Sequence, residues 1–372
     1  MKSIKYVLLT TVAIAVCGLI WLSKSTPVIS KSTVQLQIEP PLEQIIADDT
    51  VVKFQLQALN TNEEPIADAK VQVRILTPSK TPWFTSDFPI VEGTELLNLE
   101  AITPQGNLEF EQVLPIRGNY TMEIAVKPNI AGSFEAFEQS LIISVPENPI
   151  KYRNLAILAV ILLAVGLVCG WIIGNDRPVQ EGEIAPQPVR MLLSGMTIIV
   201  IVVLLFVNGR AEVSASNVKI GEVPTAAVAR NETIQIELLG DTQAVVGNLA
   251  TQAVQVTEPS TDKPITDVMV RIKSVALESD ALMFAYQGTP DNAGQLIWQE
   301  QFFDGAPHSV TATVIPLENS SGEFTSLQVS QSIEVEGIAP PLLIRFISLF
   351  HFTIIFVVGL SLGFWRKKRQ IV

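Results

Sequence analysis

The chain is poor in residues that usually carry metal and redox chemistry, with two cysteines and two histidines among 372 residues. Cys17 and Cys169 both lie within long apolar runs, so the segments between these runs cannot form internal disulfides. His308 and His351 have no histidine or cysteine near them, and no spacing typical of a zinc or copper site is present. We therefore interpret His308 as a strand-edge residue and His351 as a helix-contact residue, with haem binding or proton transfer by His351 as an alternative. The sequence predicts no cofactor.

Catalytic motifs are also missing. The chain has no Gly-x-Ser-x-Gly elbow, no phosphate-binding glycine loop and no dinucleotide fingerprint. We therefore expect that the protein is not an enzyme. Acidic residues near predicted turns leave a calcium site open as an alternative, although acidic turns are usually just solvated; they are Asp48, Asp49, Asp68 and Asp267.

Charged residues make up only 17% of the chain, whereas hydrophobic residues make up 48%. The apolar residues cluster in four runs, which we predict to be transmembrane helices at 6–22, 155–174, 191–207 and 342–365. The last three are long enough to cross a hydrocarbon layer of about 30 Å. The first run also resembles a signal peptide, so cleavage, or lipidation at Cys17, is an alternative to an uncleaved helix.

Basic residues beside the apolar runs predict the orientation. Lys2 and Lys5 precede the first run, and four basic residues fall within the tail 366–372. Because cytoplasmic flanks are enriched in Lys and Arg, we expect both termini and the loop 175–190 to be cytoplasmic. The sequence thus predicts an integral protein of a plasma membrane, with the two long segments between helices outside it.

The two outer segments are acidic, within a chain of net charge −12. This argues against nucleic acid or anionic lipid as the partner of these segments.

Internal repetition determines the predicted domain organisation. Four blocks recur in the same order, and the last block of each copy runs into an apolar run. The matched blocks are Pro65–Val73 with Pro264–Ile272, Gly106–Phe110 with Gly294–Trp298, Tyr120–Val126 with His308–Val314, and Ser140–Val145 with Ser330–Val335. Both copies alternate apolar and polar residues in short runs separated by turn residues, which is typical of β-strands.

The predicted fold class is all-β outer domains plus four transmembrane α-helices, arranged as an internal duplication of helix–sandwich–helix. We predict two immunoglobulin-like β-sandwiches, at 33–149 and 213–337.

The first copy carries an insertion. Pro65 and Gly106 are 41 positions apart, whereas Pro264 and Gly294 are 30 apart. Aromatic residues in and near the insertion, and an apolar group in the second copy, are candidate partner contacts if they lie on exposed loops. Core residues folded under their own loops are the alternative. The residues are Trp83, Phe84, Phe88, Met283, Phe284 and Tyr286.

Glycines recur every four residues near the predicted cytoplasmic ends of two helices. They are Gly166, Gly170 and Gly174 in the second helix, and Gly359 and Gly363 in the fourth. Small residues at this spacing let two membrane helices approach closely. We predict helix packing at these glycines, within the chain, by self-association or with a membrane-protein partner; the alternative is that glycine is simply frequent in membrane helices.

Three segments, Glu64–Val71, Gly106–Leu108 and Gly118–Ile124, together resemble the outer domains of the FixH and YtkA-like group. The resemblance implies an immunoglobulin-like domain of the bacterial envelope, with a role near respiratory membrane complexes or in metal handling. The group has a single span, whereas four are predicted here, and the Met- and His-rich copper sites of related envelope sandwiches have no counterpart in this chain.

We therefore expect a membrane-anchored binding, scaffold or assembly-accessory protein that contacts the lipid bilayer and a membrane-protein partner. A subunit of a transport system is the alternative, and an envelope metal-handling factor is a weaker one.

Overall fold

The computed structural model describes residues 32–81, 83, 86–174, 186–195, 227–317 and 325–369, with side chains as far as Arg366. The predicted first helix, 6–22, lies outside the described residues. The predicted third helix, 191–207, is described only for 191–195, which are helical.

The first half of the chain forms a lobe of seven strands, called lobe 1. They are β1 (Thr33–Glu39), β2 (Val51–Leu59), β3 (Ala69–Leu76), β4 (Glu95–Thr103), β5 (Asn107–Val113), β6 (Gly118–Pro128) and β7 (Phe137–Val145), with a 3-10 turn at Leu42–Gln44.

The second half forms lobe 2. Its strands are β8 (Ala227–Arg230), β9 (Gln235–Gly240), β10 (Gln243–Val245), β11 (Leu249–Thr257), β12 (Val268–Ala276), β13 (Ala281–Gly288), β14 (Gln295–Gln301), β15 (His308–Pro316) and β16 (Leu327–Glu336).

Three helices are present among the described residues: α1 (Pro149–Ile173), α2 (187–195) and α3 (Leu342–Arg369). Helices α1 and α3 are long and apolar enough to cross a membrane. Helix α1 begins where Asn148 accepts a hydrogen bond from the Ile150 N–H at 2.9 Å, with Pro149 in the first turn. Three residues separate β7 from α1, and five separate β16 from α3.

Within each lobe the strands form an immunoglobulin-like β-sandwich. In lobe 1, β1, β2 and β5 form one layer and β7, β6, β3 and β4 form the other. Alternate residues face the space between the layers, as the burial of Val52, Phe54 and Leu56 on β2 shows.

The sequence did not predict that the two sandwiches share their sheets. Sheet 1 has the order β1-β2-β5-β13-β12-β15-β16-β10, and sheet 2 has the order β7-β6-β3-β4-β14-β11-β9-β8. Each eight-stranded sheet therefore runs from one lobe into the other, and a single apolar core extends through both.

Two short joints connect the lobes, and they join strands that are equivalent in the predicted repeat. At the sheet 1 joint, Phe110, Glu111 and Gln112 of β5 pair with Tyr286, Ala285 and Phe284 of β13. At the sheet 2 joint, Trp298, Gln299 and Glu300 of β14 pair with Leu99, Asn98 and Leu97 of β4. The aligned blocks make β14 the counterpart of β5, and chain order makes β13 the counterpart of β4. The two halves therefore meet as two copies in a symmetric dimer would.

A β-bulge recurs beside each joint. The register of β3 on β4 shifts between Ile75 and Leu76, and that of β12 on β13 shifts between Ser274 and Val275. The shift leaves Leu96 and Met283 as the extra residues, and both are buried.

Candidate functional site: the junction of the lobes with the helices

The insertion loop (residues 77–94, between β3 and β4) lies at the end of the sandwich nearest to α1 and α3. Its shape depends on a buried carboxylate: Glu92 accepts hydrogen bonds from the N–H groups of Ser86 at 2.7 Å and Thr81 at 3.4 Å. The Thr77 hydroxyl donates to the Val91 carbonyl at 2.6 Å. Gly93, with φ of 75°, donates its N–H to Pro78 O at 2.8 Å, which closes the base of the loop.

From this base the insertion loop reaches across to lobe 2. The ring of Phe88 meets that of Phe303 edge-on, with centroids 5.3 Å apart. Ile90 packs on Gly247 so closely that a Cβ there would lie 2.7 Å from Ile90 Cγ2. Ile90 of lobe 1 thus occupies the space beside Gly247 of lobe 2 that any larger residue at position 247 would fill with its own side chain.

The same loop contacts α1 and faces α3 across a cavity. Asp87 Oδ2 lies 2.5 Å from Lys151 Nζ in the first turn of α1. Trp83 borders an open apolar cavity of about 500 Å³ whose other lining residues, among them Phe346 and Phe350, belong to α3. The Asp87–Lys151 pair is partly exposed, so its contribution to stability is small. The insertion loop therefore contacts lobe 2 and α1, and it borders the same cavity as α3.

Carboxylates gather around Lys151 at this junction. The pKa of Asp48 is raised to about 6, first because surrounding protein displaces water and then because Asp87, Asp304 and Asp49 lie near, while Lys151 opposes the rise. Since the Asp48 side chain is still largely exposed, we assign it no stabilising energy. Within the part of the chain that the structure describes, no three acidic, histidine or cysteine side chains are placed to hold a metal ion.

The acidic turns considered for calcium lie apart in the fold. Asp48 and Asp49 precede β2 at the helix-proximal end, whereas Asp68 precedes β3 and Asp267 precedes β12 at the opposite, distal end. The structure does not bring the two groups together.

Tyr120 and His308 occupy equivalent positions with different chemistry. The buried Tyr120 hydroxyl donates to Ile116 O at 2.8 Å and accepts from the Ile116 N–H at 2.9 Å. His308, the first residue of β15, is fully buried; its Nδ1 lies 2.8 Å from Ala306 O and its Nε2 lies 3.2 Å from Asp304 Oδ1. Burial lowers the pKa of His308, and the Asp304 carboxylate partly opposes this. In lobe 1 this position is thus a tyrosine hydrogen-bonded to the backbone, whereas in lobe 2 it is a histidine next to the carboxylate of Asp304.

A second buried titratable group lies at the sheet 2 joint. Glu300 is 3% exposed and accepts a hydrogen bond from Trp298 Nε1 at 3.3 Å. Burial raises its pKa to about 7, against the effect of Trp298 and the nearby Ser274 hydroxyl, which lies close without normal hydrogen-bond geometry. The equivalent residue of lobe 1 is Gln112, whose Nε2 donates across the sheet 1 joint to Met283 O at 3.3 Å.

At the distal end the lobes diverge and leave a cleft. Pairing across the joints stops at Phe110 with Tyr286 and at Trp298 with Leu99, so the distal parts of these strands are unpaired with one another. A cavity of about 770 Å³ opens there. Much of its lining is amide side chains, including Gln35, Gln55, Gln57, Gln105, Asn107 and Gln287.

An amide ladder crosses the sheet 2 joint on its outer face. Gln72 donates to Asn98 at 3.1 Å, Asn98 donates to Gln299 at 3.1 Å, and Gln299 donates to the Thr251 hydroxyl at 3.0 Å. These bonds link β3, β4, β14 and β11, and therefore both lobes.

The glycines singled out from the sequence lie at the contact between α1 and α3. A Cβ added at Gly166 would meet the Phe356 carbonyl, and one at Gly170 would meet the Leu360 carbonyl. In the other direction, Gly359 meets Leu163 O and Gly363 meets Leu167 O. Gly174 follows the last residue of α1, and its N–H bonds to Gly170 O at 2.9 Å.

The aromatic and apolar residues predicted as candidate partner contacts differ in their exposure. Trp83 is 61% exposed, and Phe88 is partly buried against lobe 2. The three candidates of lobe 2 are core residues of β13 and do not lie on the surface; they are Met283, Phe284 and Tyr286. The bulge beside the joint places Met283 and its neighbour Phe284 both inward, which period-two alternation does not predict. Phe84 lies outside the described residues.

Sequence reasoning missed the polar residues at the joints. Glu300 and Gln112 occupy strand positions at which the alternation of apolar and polar residues predicts an inward-facing side chain. Their inward orientation could therefore be predicted from the sequence. Their place beside the other lobe was not, because it depends on pairing between distant strands.

Comparison with known proteins gives no family for this chain. No protein-family model matches, and none of the curated proteins matches. Among solved structures, the CARDB domain of a Pyrococcus furiosus protein, solved with di-metal ions, is 16% identical, with a TM-score of 0.21 over 32% of this chain and 96% of that one. The D0-D1 domain of intimin is 10% identical, with a TM-score of 0.19 over 82% and 97%.

The adhesin InvE of Yersinia pseudotuberculosis is 13% identical, with a TM-score of 0.20 over 82% of this chain and 60% of that one. At these scores the similarities carry no argument about function, and the description of each lobe as an immunoglobulin-like sandwich rests on its strand order.

Proposed function

We propose that this protein is a membrane-anchored binding and scaffold protein of a bacterial envelope. In this proposal α1 and α3 cross the membrane, the two lobes lie outside it, and the termini are cytoplasmic. Its partners are the lipid bilayer and a membrane protein or second copy that meets the helices. The role is non-enzymatic, and membership of the FixH and YtkA-like group is part of the same proposal.

The observation that carries the proposal is the continuity of the molecule from sheets to helices. Both sheets cross from lobe 1 to lobe 2, and the last strand of each lobe leads within a few residues into a helix of the packed α1–α3 pair. The insertion loop adds contacts between the lobes and with α1, and its Trp83 borders a cavity lined by α3. Such a connection suits a platform that holds a partner at a fixed height above the membrane.

The distal cleft is the surface that we assign to the ligand. It lies at the end of the sandwich away from α1 and α3. Its amide side chains offer both donors and acceptors without charge, and the carboxylate of Glu109 in its lining is paired with Lys53 at 2.7 Å. This chemistry suits polar, uncharged groups such as peptide backbone or sugar hydroxyls. It does not suit the highly charged nucleic acid backbone.

Affinity purification of the tagged full-length protein in mild detergent, followed by mass spectrometry, tests the proposal. We expect stoichiometric recovery of one membrane or envelope partner. Gln57→Arg, which places a long cation in the cleft, should lose that partner, whereas Glu138→Arg on the exposed edge strand β7 should retain it.

Recovery of the wild-type protein alone would contradict the scaffold role and favour a self-contained transport component. Equal recovery of a partner by both variants would be consistent with the scaffold role but would contradict the assignment of the ligand to the distal cleft.

A further inference from the structure

The cavity beside Trp83 lies against the outer turns of α3. Among the described residues its lining consists of Trp83, Phe346, Ile347, Leu349, Phe350 and Thr353, none of which is charged. Trp83 is 61% exposed, Phe346 is 65% exposed and Phe350 is 57% exposed. Three large aromatic side chains are therefore left uncovered around one apolar space.

The position of this cavity along α3 places it at membrane depth. At about 1.5 Å per residue, Phe346 to Thr353 lie about 6–17 Å from Leu342 along the helix axis. The hydrocarbon core is about 30 Å thick, so, with α3 spanning it from Leu342 as proposed, most of this interval falls in the half of the bilayer nearer the lobes and its end reaches the midplane. In that proposed span Trp83, a residue of a sandwich loop, borders the lobe-side part of the bilayer.

We propose that Trp83 and the outer turns of α3 hold an acyl chain of a phospholipid from the leaflet nearer the lobes. The inference rests on the proposed function, because it requires α3 to span the membrane. The cavity is continuous with the exposed apolar surface formed by Leu342, Leu343 and Leu349 of the same helix, and lipid chains are what surrounds such a surface in a bilayer. Tryptophan is enriched at the membrane–water interface, because its ring is apolar and its N–H can face water, so we place Trp83 at the shallow end of this cavity.

The insertion loop links the proposed lipid site at Trp83 to α1 and to lobe 2. Asp87, four residues after Trp83, pairs with Lys151 of α1, and the next residue, Phe88, packs on Phe303 of lobe 2. A lipid chain that holds Trp83 therefore fixes the height of both lobes above the membrane through one loop.

Quenching of tryptophan fluorescence by brominated phosphatidylcholine tests this in the full-length protein reconstituted in bilayers. Replacing Trp21, Trp171 and Trp365 by Phe leaves Trp83 and Trp298, and Trp298 is a reference because it is 1% exposed within the core. We expect lipid brominated near the carbonyl end of its chain to remove most of the Trp83 emission. Lipid brominated near the methyl end should remove less. Adding Trp83→Phe to this background isolates the reference signal of Trp298.

A matched control separates the inference from the proposed function. In the Trp83→Phe background, Val358→Trp places the fluorophore at an exposed position of α3 outside the cavity lining. If this variant is quenched and Trp83 is not, α3 meets lipid but the cavity is covered by protein or water, and the inference is overturned while the membrane span stands. If neither is quenched, the inference and the spanning role of α3 both fail.

Discussion

At the residue scale, the main difference between the lobes is Glu300 in place of Gln112. Glu300 is buried, and its pKa rises from 4.5 to about 7. Between these two pH values the Glu300 carboxyl keeps its proton in the folded protein, whereas in the unfolded chain it has released it. Protonation of Glu300 contributes fully to the free energy of unfolding below about pH 4.5. The contribution is lost as the pH rises through about 7, which lowers the free energy of unfolding by about 3 kcal/mol.

Denaturant unfolding at a series of pH values checks this. We expect the wild-type free energy of unfolding to fall over that range, and Glu300→Gln, which copies lobe 1, to remove the fall. The same slope in both proteins would show that Glu300 is not the group responsible.

Tyr120 provides a second test at this scale. Its hydroxyl satisfies both the N–H and the carbonyl of Ile116, and all three groups are buried. Tyr120→Phe leaves two buried backbone groups without this partner, so we expect a loss of about 1–3 kcal/mol in the free energy of unfolding, measured with denaturant. Tyr286→Phe is the control, since among the described residues the Tyr286 hydroxyl has no hydrogen bond; a loss as large there would refute the explanation.

At the element scale, the glycine spacing in α1 and α3 illustrates what a sequence can predict. Spacing of four residues identifies one face of a helix, and in the structure Gly166, Gly170, Gly359 and Gly363 lie at the α1–α3 contact. Spacing cannot identify the partner helix, because that depends on where the strands before each helix end.

Helix contact at these glycines predicts the behaviour of Cys169, a buried free thiol on α1. Because a Cβ at Gly363 would meet the backbone of Leu167, Gly363→Leu should force the helices apart. In a Cys17→Ser background, a thiol-reactive dye should then label Cys169 in detergent at a clearly lower temperature than in the parent protein. Val165→Leu, at an exposed position of α1, is the control. An unchanged labelling temperature for Gly363→Leu would contradict the packing.

The insertion loop shows the other limit of prediction. The aromatic residues near Trp83 suggested a contact loop, yet Phe88 packs on lobe 2 and Trp83 borders α3. Both contacts arise between segments that are distant in sequence, so local pattern alone could not distinguish them.

At the scale of the whole molecule, the repeat predicted two similar sandwiches but not their union. The matched blocks identified equivalent strands, and the alternation in β2 or β6 identified inward faces. The joints depend on edge strands β4, β5, β13 and β14, whose free edges look alike in sequence whether they face water or another lobe. Register between edges is a tertiary property.

Inter-lobe crosslinking tests the account most directly. Asn98→Cys with Gln299→Cys places thiols on directly paired residues of the sheet 2 joint, at a separation that a disulfide can bridge. Glu111→Cys with Ala285→Cys does the same at the sheet 1 joint. The background is Cys17→Ser with Cys169→Ala, and a protease site inserted within 175–185 allows the two halves to be separated after oxidation.

We predict that mild oxidation links the halves in both designed pairs, so that they remain together on a non-reducing gel after cleavage. Ile102→Cys with Gln299→Cys, which lies outside the pairing, should leave them separable. Separation of the halves in both designed pairs, or equal linkage in the control, would contradict the central claim that the two lobes share their sheets.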